Sequence, residues 1–329
     1  MSTTRDIFVM AEVDSQGKPK RLSLELASKA AELAGQVGGR AVAVVCGPRG
    51  AAEALGAYGV QQVYLCTDAR CQEELIGPPA AVLAALVREH NPWLVLLPGS
   101  PLGKDWAGRL VGKLGLGVEA NVAALDVVDG KAQVMIPAFS GALRVSSTFT
   151  TDGAQPGVVI VNPGSFDLKK SEGTAEISEV PVPADTPAQV RIVERKAEQG
   201  GVPNLAEAQV IVAGGRGLGD AQNFAMVREL AAHLNGAVGA TRAVVDSGWI
   251  PYAYQIGQTG KTVKPKLYLA VGISGEIQHK VGMQTSGTIV AINNNREAPI
   301  MQFADLAVVG DLFKVIPALN AELARRKNV

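Results

Sequence analysis

Apolar residues along the chain fall into two alternating patterns. Short continuous runs of strand length, DIFVMAEV at 6–13, RAVAVVCG at 40–47, VQQVYLCT at 60–67 and NPWLVLLPG at 91–99, punctuate the first hundred residues. Between the first two runs, Leu22, Leu26, Ala30, Leu33 and Val37 recur at spacings of three and four, the stripe of a helix packed on a sheet. Runs alternating with stripes predict βαβα order and a parallel sheet. After Asp126 the pattern changes to KAQVMIPAF, ALRVSSTFT and GVVIVN, which lack helical stripes. That change predicts antiparallel strands extending the same domain as far as about Asn162.

Residues 163–203 carry Pro163, Pro181, Pro183, Pro187 and Pro203 among polar positions, the composition of a linker or of an extended strap. AQVIVAGG at 208–215 then restarts the alternation. A helix follows with Phe224, Val227, Ala231 and Leu234 on one face, then strands KLYLAVG and TIVAINN, then a last helix carrying Leu312, Val315, Leu319 and Leu323. The expected fold class is α/β in two domains, 1–205 and 206–329, each a mainly parallel sheet flanked by helices.

A length of 329 residues suits two cores, and 47% hydrophobic against 19% charged residues describes a globular chain. No run is long and apolar enough for a membrane helix, so membrane insertion is not expected. The net charge is zero, which disfavours nucleic acid as a partner. MSTTRD leads into a run too short for a signal peptide, and the three cysteines, Cys46, Cys66 and Cys71, form an odd set, so a cytoplasmic location is expected. The cysteines lack zinc-type spacing, and four residues separate Cys66 from Cys71 where redox motifs have two, so they read as buried thiols. Only three histidines are present, and neither a metal centre nor a hydrolytic triad is expected.

Glycine is abundant at 37 residues, as loops that bring backbone amides close to a ligand require. GGRGLGD at 214–220 lies where a strand meets a helix, a position suited to phosphate, although its spacing is not a strict G-x-G-x-x-G. QIGQTGKT at 255–262 ends like a P-loop, but Gln255 stands where the first glycine belongs, so a triphosphate cradle is excluded. Its Gln258 and Thr259 offer hydrogen bonds to the edge of a planar ligand. AVGISGEIQH at 270–279 is a second glycine corner ending at His279, which on its own reads as a hydrogen-bonded structural histidine.

In order and spacing, AGGRGLG, GATRAVVDSGWIP, QIGQTGKTVKPKLYLAVGISGEIQH, GTIVAINNNREAPIMQFADL and VVGDLFKVIPAL resemble the C-terminal domain of the electron transfer flavoprotein α subunit. GKDWAGRLVGKLGLG and AFSGAL extend the resemblance more loosely into the first domain. It implies a nucleotide-hydrolase-like N-terminal domain, a Rossmann-like C-terminal domain that binds FAD, and a β subunit closing the other side. Electrons would pass from flavin dehydrogenases, such as the acyl-CoA dehydrogenases of fatty acid β-oxidation, towards a membrane quinone oxidoreductase.

Residue by residue, Arg216 resembles the family's loop arginine, and Thr241 with Arg242 a Ser-Arg pair beside the pyrophosphate and the flavin ring. Ile256, Gly257, Gln258 and Thr259 would pass the flavin, with the Thr259 hydroxyl towards N5. Ser274, Gly275, Glu276, Ile277, Gln278 and His279 would span from the pyrophosphate to the pyrimidine edge, His279 donating to a flavin carbonyl. Asn293, Asp311 and Leu312 would hold the adenosine. Three departures stand out: threonine replaces serine at 241, Glu276 replaces a small residue, and Asn294 stands where lysine is common. No catalytic residue is expected in a carrier. Two other readings are an electron-bifurcating α subunit using NADH and an NAD-dependent oxidoreductase; a nucleotide-sensing module is a third.

Overall fold

Strands buried on both faces need apolar residues at every position, and the central strands of both parallel sheets follow that rule. The structure, a computed structural model, describes residues 5–139, 143–149, 155–187, 190–194, 205 and 208–327. The chain divides into two units, Met1–Lys196 and Ala197–Val329. The boundary expected near Ala206 falls outside the described residues.

In the first unit, β1 (Ile7–Ala11), β2 (Ala41–Cys46), β3 (Gln62–Cys66), β4 (Leu94–Pro98), β5 (Val118–Val122), β9 (Gly157–Val161) and β10 (Glu176–Glu179) form a seven-stranded sheet. Its order is β10-β3-β2-β1-β4-β9-β5, with every pairing parallel. The chain between Val122 and Gly157 adds β6 (Ala124–Val128), β7 (Lys131–Ala138) and β8 (Leu143–Thr148), an antiparallel three-stranded sheet. Helices α1 (Arg21–Val37), α2 (Arg49–Gly56), α3 (Arg70–Glu73), α4 (Gly77–His90) and α5 (Pro101–Leu114) make the crossovers. The α1 stripe works as patterned: Leu22, Leu26, Ala30 and Leu33 are all buried.

The fold departs from the expected pattern in two places. The run GVVIVN is not antiparallel: β9 lies between β4 and β5 in the main sheet, and all five of its residues are buried. Its unbroken apolar character marks a strand covered on both faces, not an alternating edge. The proline-rich stretch also contains β10, which pairs in parallel with β3, while Val182 is buried in the core.

The second unit is a five-stranded parallel sheet of β11 (Val210–Gly214), β12 (Ala237–Ala240), β13 (Leu267–Val271), β14 (Thr288–Asn293) and β15 (Leu306–Val309), in the order β12-β11-β13-β14-β15. With β11 counted first this is the doubly wound order 2-1-3-4-5, whose direction reverses between β11 and β13. Ligands of such sheets sit at the carboxyl ends of the strands at that switch point. Helices α6 (Phe224–His233), α7 (Arg242–Asp246), α8 (Ile277–Lys280) and α9 (Leu312–Lys327) follow the strands. No described helix is long and apolar enough to cross a membrane.

Candidate functional site

The two strands flanking the switch point each end in a glycine corner, and the corners are laced together. Gly215 N–H donates to the Val271 carbonyl and Gly217 N–H to the Gly272 carbonyl, each at 2.9 Å. The contact admits no side chain. A Cβ on Gly217 would lie 2.7 Å from Gly272 Cα, and one on Gly272, whose φ is +62°, would lie 2.9 Å from Gly217 Cα.

Around these corners opens a cleft of about 600 Å³. Its wall takes Arg216 from the first corner, Thr241 and Arg242 from the start of α7, Ser274, Glu276, Gln278 and His279 from the second corner, and Asn293 from the end of β14. Eight of the sequence-predicted residues therefore meet on one wall. Thr241 is the N-cap residue of α7 yet makes no side-chain capping bond. Asn293 is buried and structural: its Nδ2 donates to the Ile273 carbonyl at 2.8 Å and its Oδ1 accepts the Asn295 N–H at 2.9 Å, pinning the second corner.

The remaining predicted residues stand behind or beside the wall. Gly275 is buried against Ile300. Ile256 is buried, and Gly257, Gln258 and Thr259 continue its loop, which Gln258 N–H anchors to the Gln278 carbonyl at 2.7 Å. The Thr259 hydroxyl accepts from Gln255 Nε2 at 3.0 Å. Ile277 is exposed, Leu312 is a core residue, and the Asp311 carboxylate accepts the Phe313 N–H at the start of α9. None of these eight lines the cleft.

Electrostatically the wall is mixed. Arg242 Nε donates to Asp246 Oδ2 at 3.1 Å, so the cation nearest α7 already has an anionic partner four residues on. Asp246 also lines the cleft and has no place in the sequence reading.

His279 differs from its expected role as donor. Its Nδ1 lies 3.1 Å from the Ile256 carbonyl and its Nε2 2.8 Å from the Tyr268 hydroxyl. A carbonyl only accepts, so the ring proton is on Nδ1, and the bare Nε2 accepts from Tyr268. In this arrangement the ring has no N–H left for a ligand. Burial holds its pKa down to about 4 despite the opposing bond to Ile256, so it is neutral near pH 7. Tyr268, wholly buried on β13, escaped the sequence reading because strand residues carry no motif signal.

Two glycine corners at a switch point beneath a mixed-charge wall suit the phosphates of a dinucleotide. Residues 204–284 match the family model described as electron transfer flavoprotein FAD-binding domain, and residues 7–185 match electron transfer flavoprotein domain. The chain belongs to the electron transfer flavoprotein α-subunit family. Similarity to electron transfer flavoprotein subunit alpha of Mycobacterium leprae is 42% identity over 318 residues, covering 95% of this chain and 96% of that protein. The subunit of Thermoanaerobacterium thermosaccharolyticum is 38% identical, with 99% and 100% covered. The acryloyl-CoA reductase electron transfer subunit beta of Anaerotignum propionicum is 33% identical, with 100% and 98% covered.

The residues present fit a flavin dinucleotide. Gly215, Gly217 and Gly272 let the two corners pack backbone on backbone beside the cleft, and the donors around it, arginine, threonine, serine and glutamine side chains, suit phosphate and ribose oxygens.

Proposed function

We propose that this chain holds FAD in the cleft of its second unit and serves as a carrier subunit. It takes electrons from flavin dehydrogenases, acyl-CoA dehydrogenases among them, and passes them towards a membrane quinone oxidoreductase. The observation that carries this reading is the cleft at the switch point, whose one buried titratable group is locked as a neutral imidazole. Such a site suits binding and charge placement rather than proton transfer.

FAD, when bound, supplies the capacity to accept and release electrons. The chain's residues do the rest. The glycine corners and Arg216 would take the pyrophosphate, Thr241 and Ser274 would add hydroxyl donors, and Thr259 would face the ring edge. Arg242 would stabilise negative charge that develops on the flavin. Asn293, Asp311 and Leu312 shape the adenosine end in this reading, the latter two by fixing the start of α9. His279 acts through what it holds, joining the QIGQTG loop to β13.

A β subunit would close the open side, since one unit's loops cover only part of so long a cofactor. The isolated chain should therefore lose FAD on gel filtration while the heterodimer keeps it; stoichiometric, slowly released FAD in the chain alone would count against the partner. Arg242→Ala should lower the flavin midpoint potential, by about 1 kcal/mol given its exposure and the Asp246 pairing. Asp246→Asn should raise it, because the guanidinium is then unshared. A redox titration giving both variants the parent potential would remove Arg242 from this role.

A second reading, α subunit of an NADH-using bifurcating flavoprotein, draws on the relative from Anaerotignum propionicum, whose name ties it to acryloyl-CoA reductase. Two FAD per heterodimer would favour it over the simple carrier, which holds one.

A further inference from the structure

All three cysteines of the chain meet in the first unit. Cys46 ends β2, Cys66 ends β3, and the parallel register makes them direct neighbours across the sheet. Cys71 lies in α3, five residues on. The turn between is fixed: Asp68 accepts the Arg70 N–H on its carboxylate at 2.9 Å and the Cys71 N–H on its carbonyl at 3.0 Å. Cys66 Sγ and Cys71 Sγ are 3.7 Å apart, and all three sulfurs lie within 4.8 Å of one another. Cys66 is buried, whereas Cys46 and Cys71 are half-buried residues. Asp68 N–H is also a hydrogen-bond partner of Cys66, the kind of outer support that orients a sulfur ligand.

Such a cluster has two uses. A disulfide needs sulfurs about 2.05 Å apart, and it would leave the third thiol unused. A cation bound at about 2.3 Å from each sulfur places the sulfurs about 3.8 Å apart at tetrahedral angles and about 4.0 Å apart in a trigonal plane. The 3.7 Å between Cys66 Sγ and Cys71 Sγ is close to the tetrahedral value, and the limit of 4.8 Å on the other two separations leaves both geometries within reach. Thiolates select soft cations over magnesium or calcium.

We propose that Cys46, Cys66 and Cys71 form a three-thiolate site for a soft d10 cation such as zinc, with a water as fourth ligand. Binding forms three metal–sulfur bonds and releases the thiol protons to solvent; no electron is transferred. The cation would tie the carboxyl ends of two neighbouring strands to the helix that follows.

Cobalt(II) serves as the visible probe, added to the reduced, metal-free full chain. One equivalent should bind with intense sulfur-to-cobalt charge-transfer bands and be displaced by one equivalent of zinc. The thiols of the folded chain that react with Ellman's reagent should become protected on metal binding and reactive again when a chelator removes the metal. Cys71→Ser and Cys46→Ala should each weaken binding by more than the 10–100-fold, roughly, that loss of an outer-shell partner costs. The unsubstituted chain decides the matter even if a variant fails to fold, because these three are its only cysteines. Absence of the charge-transfer bands, unchanged affinity in folded variants, or a reduced preparation that instead forms a Cys66–Cys71 disulfide and takes up no metal would each overturn the site.

Discussion

Gly275→Ala should unfold the second unit at markedly lower urea and strip the flavin from it. Gly275 has φ of +86°, and a Cβ there would lie 2.4 Å from Ile300 N and 2.6 Å from Ile300 Cα. Neither atom can swing aside, because Ile300 N–H donates to the Ser274 carbonyl at 2.9 Å and Ile300 is wholly buried. The left-handed backbone costs alanine roughly 1 kcal/mol and forced backbone movement roughly 1–3 kcal/mol more, so the sum is about 3 kcal/mol. Gly219→Ala separates the two terms: its φ is +75°, but nothing lies within 4 Å of the added carbon. It should cost only the backbone part and keep its flavin. Equal losses of stability in the two variants would show that the Ile300 contact does not constrain the corner.

What the sequence made legible follows from how local each signal is. The α1 stripe and the runs that became β1 to β4 are patterns within a few residues, and they survive in any context that buries one helical face or both strand faces. GVVIVN was legible as a strand but not in its pairing, and EISE at 176–179 carried no strand signal at all. Their partners are β4, β5 and β3, distant in the chain, and pairing direction is a property of the sheet rather than of the strand. The glycine corners were visible because glycine is needed at each close approach, and the family resemblance named the loops around them. The cysteines illustrate the reverse case. Cys46 and Cys66 are twenty residues apart, so no spacing rule joins them, yet strand register makes them neighbours. Tyr268 likewise meets His279 only because β13 passes beneath the second corner.

That pair gives the second large effect, a pH dependence of stability. Folded His279 titrates at about 4, below the 6.5 of an unburied histidine, because burial disfavours the charged ring. Between those values the unfolded chain binds a proton that the folded chain does not, so lowering the pH favours unfolding. The full contribution is present above about pH 6.5. It is lost as the pH falls towards 4, to a total of about 3 kcal/mol for a shift of that size. Urea midpoints measured from pH 7.5 to 4.5 should fall steeply in the parent protein. His279→Gln should lower the midpoint at pH 7.5 but flatten the slope; His90 and His233 are present in both chains and cancel in the difference. Tyr268→Phe removes the O–H that occupies Nε2. It leaves a buried acceptor unpaired, costing about 1–3 kcal/mol at pH 7.5, and because neutral imidazole loses its donor the folded pKa should rise, lifting the lower edge of the window while its upper edge stays at the unfolded value. If the difference between parent and His279→Gln does not change with pH, the imidazole is not held neutral in the folded chain. The tie between the QIGQTG loop and β13 would then need another account.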